Sequence, residues 1–386
     1  MTSRTLNETP SPVARPWGPT AGIFFANGAT FGIWATQIPL VRERLGLDTA
    51  VLGILLLVLG AGAVSAMAAS GWLIRRFGSA ALTRLSAAIF IATLPLAAIV
   101  PNLAVAVPVM FVFGAAGGSM DVAMNAHAAE VERRVGRVYM SSFHGMWSVG
   151  GLVGAGLGSL MLGVFAGPVQ ALVAAVLAAG IVAVSQHGLL ARVPPPEGHA
   201  AGSLRPDALA LAIGTMAALC FAAEGSVLDW SSLFLRAELG APAERAGFGY
   251  AAFSAAMAAG RFVGDALRSR FGAAAIIRAG AALAVLGLLI GPATGSDAGA
   301  IAGFALAGLG LSNVVPVLIS AAGAGPRGDV AIATVTTLGY GGLLAAPPLL
   351  GFLAQATSLS TMFLAVAGMS AAVFLGAGIA RTRRPA

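Results

Sequence analysis

Long apolar runs alternate with short polar or charged breaks along the whole chain. Twelve of these runs approach the length of about 20 residues that crosses a bilayer as a helix. They lie near 18–40, 50–70, 81–100, 103–126, 139–163, 168–187, 208–230, 247–266, 273–293, 298–322, 330–353 and 358–380. The pattern therefore predicts an all-α integral membrane protein with 12 transmembrane helices.

One part of this pattern occurs twice. Residues 71–78 read GWLIRRFG, and residues 260–272 read GRFVGDALRSRFG, so both copies end in Arg-Phe-Gly after an apolar run. The copies are offset by 194 residues (272 − 78), close to half of the 386-residue chain. A repeat of this length predicts two tandem six-helix bundles related by pseudosymmetry.

The predicted boundary between the bundles is a break rich in proline, glycine and charge, PPPEGH at 194–199. Such a composition interrupts a helical pattern and is typical of a linker. We expect bundles at 18–188 and 207–380, a cytoplasmic linker at 189–206, and cytoplasmic tails at 1–17 and 381–386.

Composition and charge support a membrane location. Charged residues make up 10% of the chain, against roughly 25% in soluble domains, and the mean hydropathy is +0.89. Arg42, Arg44, Arg236 and Arg245 fall on one side of the predicted membrane, and we assign the remaining 18 of the 22 basic residues to the other side. The positive-inside rule then predicts a multi-pass protein of the cell (inner) membrane with both termini cytoplasmic.

Several other classes of protein are disfavoured. The basic residues form no groove-sized patch for nucleic acid, and there is no phosphate-binding loop of the Gly-x-x-x-x-Gly-Lys-Ser/Thr type. The four histidines and single cysteine show no zinc spacing, and no serine lies in a nucleophile elbow. We expect no enzyme activity, cofactor or metal, and a monomer whose partners are a small solute, protons and the lipid bilayer.

Two six-helix units and a repeated hairpin between the second and third helices resemble the major facilitator superfamily. In that family the hairpin reads glycine, any, leucine, any, aspartate, arginine, any, glycine. Gly71, Leu73, Arg76 and Gly78 match, and Arg75 stands in place of the aspartate. DVAMN at 121–125 and HGMWSVGG at 144–151 are loosely similar to fucose-permease-like sugar porters of an uncharacterised bacterial inner-membrane branch. The resemblance implies transport of a small solute by alternating access.

Gating is expected at the two hairpins. The second copy carries Gly264, Asp265, Arg268 and Gly272, with Ser269 at the aspartate position, so Asp265 is the candidate for the missing latch. The resulting gating set is Gly71, Arg75, Arg76, Gly78, Gly264, Asp265, Arg268 and Gly272, together with Asp229 on the seventh helix.

Ionisable side chains within the spans are candidates for proton coupling, because their insertion costs roughly 3 kcal/mol or more each. Asp121 and His144 lie at similar depths on consecutive antiparallel helices. They either form a proton-carrying pair, form a structural hydrogen bond between the helices, or do not touch. Glu224 is the acid deep in the C-terminal half. Asp229 is expected near the membrane surface as a helix-end or gate residue, with Trp230 as an interfacial anchor.

Polar and aromatic side chains suggest a solute site. Asn27, Phe31 and Trp34 follow a helical spacing on the first helix, where they either line a cavity or divide between lipid and a neighbouring helix. Asn125 shares a face with Asp121. Asn313 corresponds to Ser119 in the first repeat, and Tyr340 ends a polar row that begins at Thr334. The substrate-binding set is Asn27, Phe31, Trp34, Asn125, Asn313 and Tyr340.

These residues predict a secondary active transporter. The assignment leaves acids but no arginine or lysine within the spans, which favours proton-coupled symport of a sugar-like or other small polar solute over transport of an organic anion. Proton-antiport efflux of drugs or metabolites is the alternative. A non-transporting membrane sensor or scaffold with the same fold is the alternative from another class.

Overall fold

The computed structural model describes residues 17–135, 139–190, 207–323 and 328–380. The terminal tails before Trp17 and after Ala380, and most of the predicted linker, lie outside the described residues. So does the side chain of Asp265.

Twelve long helical segments make up the described chain. Their bounds are α1 Trp17–Leu45, α2 Thr49–Phe77, α3 Ser79–Ile99, α4 Leu103–Val135, α5 Met140–Leu162, α6 Gly167–Ser185, α7 Ala208–Leu233, α8 Phe248–Phe271, α9 Ala273–Thr294, α10 Asp297–Leu311 continued by Val314–Gly323, α11 Gly328–Ala356 and α12 Leu359–Gly376. Each coincides with one predicted run, which confirms the twelve helices. Ten of them meet both the length and the hydropathy expected of a membrane span within the described residues; α1 and α8 are long enough but carry more polar and small residues.

Short polar breaks start the helices. Asp48 and Asp207 precede α2 and α7, and each side chain accepts a hydrogen bond from a backbone N–H three residues on, at 2.7 and 2.8 Å. Ser296 and Ser358 cap α10 and α12 in the same way. Such caps satisfy N–H groups that the first helical turn leaves unpaired, so the helix boundaries follow from the breaks in the apolar pattern.

The internal repeat extends to the backbone of the turns. Gly78 and Gly272, which end the two predicted hairpin helices, have φ values of 88° and 81°. Gly46 and Gly240 have φ values of 62° and 68°, and they too are 194 residues apart (240 − 46). Glycine reaches positive φ without a steric penalty, so both copies use it at equivalent turns.

Helix packing follows the same symmetry. Within the first six helices α1 packs on α5, and α2 and α3 pack on α4; within the last six α7 packs on α11, and α8 and α9 pack on α10. The two halves meet mainly through α2 against α11 and through α5 against α8, which are equivalent pairs. The protein is therefore two similar six-helix bundles with a shared central face.

The outer surface of the bundles is apolar. Val176, Leu177 and Val184 on α6 are 63%, 61% and 77% exposed. Exposed apolar side chains on helices whose backbone is internally hydrogen-bonded suit a hydrocarbon environment. The structure therefore agrees with a membrane-spanning protein.

Polar contacts join the two halves at one end. We call the end where α6 finishes and α7 begins the linker end, and the opposite one the far end. At the far end Arg236 pairs with Glu43 at 3.0 Å, Thr49 bonds Gln355 through its N–H and hydroxyl at 3.1 and 3.0 Å, and the Gly247 N–H donates to Ser159 at 2.7 Å. These contacts hold the far end closed.

Candidate functional site

A cavity of about 680 Å³ lies between the two halves. Four helices of each half contribute to its wall. All residues of the predicted solute and proton sites except Asn125 line it, namely Asn27, Phe31, Trp34, Asp121, His144, Glu224, Asn313 and Tyr340. The predicted gate residue Asp229 lines it as well. The structure thus brings together, on one surface, side chains that are separated by as many as 313 residues in the chain (340 − 27).

Arg261 is the residue that the sequence prediction misplaced. The prediction counted it among the 18 basic residues outside the spans, although it falls within the predicted run 247–266. It lies midway along α8 and lines the cavity, so that count is wrong for Arg261. Its guanidinium lies 3.7 Å from the Glu224 carboxylate on α7 and donates to the Ser148 hydroxyl on α5 at 3.3 Å. Organic anions were disfavoured because no basic side chain was expected within the spans; Arg261 is such a side chain, so they are no longer disfavoured on that ground.

Two glycines place Arg261 in the wall. A side chain on Gly260 would meet Ser312, and one on Gly264 would meet Asn313. Small residues spaced four apart let helices approach closely. Here they let the interruption of α10 at Ser312 and Asn313 pack directly against α8. Asn313 donates to the Gly260 carbonyl at 2.8 Å. Its predicted role in solute binding is therefore accompanied by a packing role.

Asp121 and His144 are joined through Asn125. The Asn125 amide nitrogen donates to the Asp121 carboxylate at 3.2 Å and to the Asp121 carbonyl at 2.9 Å. Its amide oxygen is 3.1 Å from His144 Nε2. Since that oxygen can only accept, Nε2 carries the proton in this arrangement. An amide bridge between α4 and α5 thus replaces the direct contact that depth alone made plausible.

The polar and aromatic stripe of α1 faces inward. Phe31 packs on Phe90 with ring centres 4.8 Å apart, and Trp34 packs on Phe113 at 5.5 Å. The lipid-facing alternative for these two rings is wrong. Asn27 both lines the cavity and accepts a 2.8 Å hydrogen bond from Trp147 of α5. Sequence reasoning did not single out Trp147, although it lies three residues after His144 and so near the same helix face.

The acid at the far side of the cavity is Asp229. It lines the cavity wall rather than ending a helix at the membrane surface. The adjacent Trp230 is fully buried, and its ring lies 3.1 Å from where a Cβ atom on Gly351 of α11 would be. The predicted interfacial anchor is therefore wrong, because this indole packs between α7 and α11.

The remaining solute candidate, Tyr340 of α11, stacks on Phe221 of α7 with ring centres 5.8 Å apart and planes inclined by 15°. Ser119, the repeat counterpart of Asn313, is buried and accepts hydrogen bonds from Ser70 and Ser86. It holds α2, α3 and α4 together, so equivalent positions in the two repeats serve different purposes.

The predicted gating residues lie in the linker-end halves of α2 and α8, apart from Asp229, and Gly264 is the one nearest the cavity. Gly78 and Gly272 follow the last residues of the two helices. The backbone N–H of each donates a hydrogen bond to the carbonyl four residues earlier, at 2.8 Å. Arg268 donates to Ser320 of α10 at 2.7 Å. Gly71, Arg75 and Arg76 occupy the last two turns of α2. Their placement at the end opposite the closed contacts suits a gate, and that role stays a prediction.

Comparison with known proteins now decides the family. Residues 20–326 match the family model described as Major Facilitator Superfamily. The chain belongs to the major facilitator superfamily. It is a secondary transporter of a small solute, and the two six-helix bundles and central cavity are the superfamily fold that the sequence predicted.

Relatives of this superfamily member come from bacteria. An uncharacterized MFS-type transporter of Yersinia pestis is 39% identical over 346 residues, covering 89% of this chain and 90% of the relative. The membrane protein MosC of Rhizobium meliloti is 33% identical over 347 residues, covering 88% and 84%.

Among solved structures, the nucleoside transporter NupG matches with a TM-score of 0.76 at 16% identity, over 95% of this chain and 100% of NupG. The fucose:proton symporter FucP of E. coli matches with a TM-score of 0.63 at 16% identity, over 97% and 100%. At these identities the likeness shows the fold of this superfamily member and not its solute.

Proposed function

We propose that this protein is a proton-coupled symporter of a small polar, sugar-like solute, with Glu224 as the main proton acceptor. The observation that carries the proposal is the contact of Arg261 with both Glu224 and Ser148. One arginine side chain thereby links an acid of the C-terminal half to a hydroxyl of the N-terminal half, inside the cavity between them.

Proton binding at Glu224 would change this link. An ionised Glu224 attracts the guanidinium, whereas a protonated Glu224 leaves Arg261 without its counter-charge in a poorly solvated wall. Arg261 would then turn toward Ser148, toward the solute, or toward Asp121 across the cavity. Since α5 and α8 form one of the two main contacts between the halves, a shift of Arg261 changes the contact that must rearrange during alternating access. Asp121 and His144, bridged by Asn125, form the second candidate proton site.

The orientation proposed from the positive-inside rule places the linker end in the cytoplasm. The closed contacts of the far end then lie on the outer side, and solute exchange takes place from the cytoplasmic side in this conformation. The protein is proposed to act as a monomer in the inner membrane, with both termini cytoplasmic.

The solute class is supported by the wall and by the neighbours. Amide groups, acids and aromatic rings share the cavity, which suits a compact solute that presents both hydroxyl groups and an apolar face. FucP and NupG are named for a sugar and for nucleosides, and both classes are hydroxylated rings. The same aromatic rings and acids also suit the alternative, proton-antiport efflux of drugs or metabolites.

Solute-driven proton movement in proteoliposomes tests the proposal. We expect one class among fucose, uridine and a panel of cationic drugs to move protons with the wild type and to lose that movement in Glu224→Gln. Glu244→Gln removes an exposed carboxylate outside the cavity and should behave as the wild type. Persistent coupling in Glu224→Gln would assign the proton to Asp121 and His144. Solute uptake without proton movement would indicate a uniporter, and inward or outward proton flow separates symport from antiport.

A further inference from the structure

The cavity carries more acid than base. Among the described residues that line it, Asp121, Glu224 and Asp229 are acids, and Arg261 is the basic residue other than His144. Buried charge in a membrane protein is normally paired. Two negative charges therefore have no protein counter-charge when all three acids are ionised and the histidine is neutral.

The three acids differ in their partners. Asn125 donates to Asp121, and Arg261 approaches Glu224. In the described part of the chain no hydrogen bond or ion pair reaches Asp229, and a nearby polar group is the Tyr250 hydroxyl, which also lies on the cavity wall. Asp229 is thus the carboxylate with the greatest need of a partner supplied from the cavity.

Unpartnered donors lie on the facing wall. The Asn27 amide nitrogen and the Trp34 indole nitrogen are buried, at 1% and 3% exposure of their residues, with no hydrogen-bond acceptor in the described structure. The Trp147 indole N–H donates a hydrogen bond to the Asn27 amide oxygen, so the amide nitrogen of Asn27 is the atom that lacks a partner. A buried donor without an acceptor costs roughly 1–3 kcal/mol, so a solute oxygen that accepts from either N–H group would be stabilising.

The two walls meet at one depth. Ala35, Tyr250 and Leu228 belong to one apolar cluster. Their chain neighbours Trp34 and Asp229 therefore reach the cavity at the same level, from α1 and α7. A solute lying between them would meet the Trp34 N–H on one side and an unpaired carboxylate on the other, with the Asn27 amide two turns away along α1.

We infer that the transported solute carries a cationic amino group bound by Asp229, together with hydroxyl or carbonyl oxygens that accept from Asn27 and Trp34. The inference deepens the proposed function and rests on it, because it uses the same cavity. It names Asp229 as the residue that selects an amine-bearing polar ring over its neutral counterpart. Glu224 keeps its proposed role in proton coupling, and when it is ionised Arg261 already provides its counter-charge.

A charge series on one ring tests the inference by binding rather than by transport. Thermal unfolding of the purified full-length protein in detergent, at mildly acidic pH, is measured with D-glucosamine, D-glucose and D-glucuronate. The cationic sugar should stabilise the wild type at the lowest concentration. Loss of a charge-assisted bond in Asp229→Asn should raise that concentration roughly 10- to 100-fold, while the response to D-glucose stays the same. Glu244→Gln should retain the wild-type preference.

Several results would overturn the inference. They are an equal or stronger response to D-glucose or D-glucuronate, no response to any of the three, or an unchanged preference in Asp229→Asn. Asp229→Glu guards against misfolding, because it keeps the charge and should recover part of the preference for the cationic sugar. Since no proton movement is measured, proton coupling through Glu224 can fail in proteoliposomes while this binding result stands, and the reverse also holds.

Discussion

Asn313 occupies the space that a side chain on Gly264 would fill. The contact packs the interruption of α10 against α8, one turn beyond Arg261. The sequence repeat marked Gly264 as a gating residue, whereas the structure shows that its lack of a side chain also fixes the cavity wall.

Gly264→Ala should therefore destabilise the protein. The new methyl group overlaps the Asn313 amide, and overpacking a close helix contact costs about 1–3 kcal/mol. We expect a lower midpoint of thermal unfolding in detergent, and weaker solute binding because Arg261 moves with α8. Gly368→Ala is the matched control, since nothing lies within 4 Å of the added methyl. An unchanged midpoint in Gly264→Ala would show that α10 adapts without strain.

Arg261→Ala should be more harmful than the double variant Arg261→Ala/Glu224→Gln. Removing one member of a poorly solvated ion pair leaves the other charge uncompensated, at a cost of roughly 3–5 kcal/mol. Replacing the remaining acid by an amide removes that charge. The coupling is measured as a double-mutant cycle on thermal unfolding. Strictly additive losses would mean that the 3.7 Å approach contributes no pairing energy.

Asn125→Leu should separate Asp121 from His144. The variant leaves the carboxylate and Nε2 without their shared amide, and each unsatisfied buried group costs roughly 1–3 kcal/mol. We expect reduced stability together with a changed pH profile of transport if these residues carry the proton. Reduced stability with an unchanged pH profile would assign the bridge a purely structural role.

Cross-linking tests the closure of the far end. Thr49 and Gln355 share a hydrogen bond between the two halves, so cysteines at both positions should react with a short, cleavable thiol cross-linker. The single native thiol, Cys220, is buried and should not interfere. Cross-linked protein should lose transport and recover it on cleavage. Full transport by the cross-linked protein would show that the far end does not open in the transport cycle.

The helices and their symmetry were accessible from the sequence because membrane spans are set by apolar length, and because the repeat retains its glycines. The site was only partly accessible. Arg261 carried a readable signal, since it follows Gly260 well inside an apolar run, yet its charge suggested a loop. Its partner Ser148 and the Asn125 bridge depend on how helices rotate against one another, which residue spacing along one helix does not specify.

Trp230 illustrates the same limit. An indole beside an acid near a predicted helix end is typical of an interfacial anchor. The helix in fact continues, with π-helical hydrogen bonding at Phe234–Glu238, so Trp230 lies inside the bundle. The end of an apolar run therefore did not coincide with the end of the packed helix.

The turn glycines carry a wider consequence. Gly46 and Gly240, like Gly78 and Gly272, kept their geometry in both copies of the repeat, whereas the charged cavity residues did not. At the same offset of 194 residues, Arg261 corresponds to Met67, Asp229 corresponds to Ala35, and Asp121 corresponds to Val315. The two copies thus share the turns that set the frame and differ in the charged side chains of the cavity. The site is therefore asymmetric, although the frame around it is nearly symmetric.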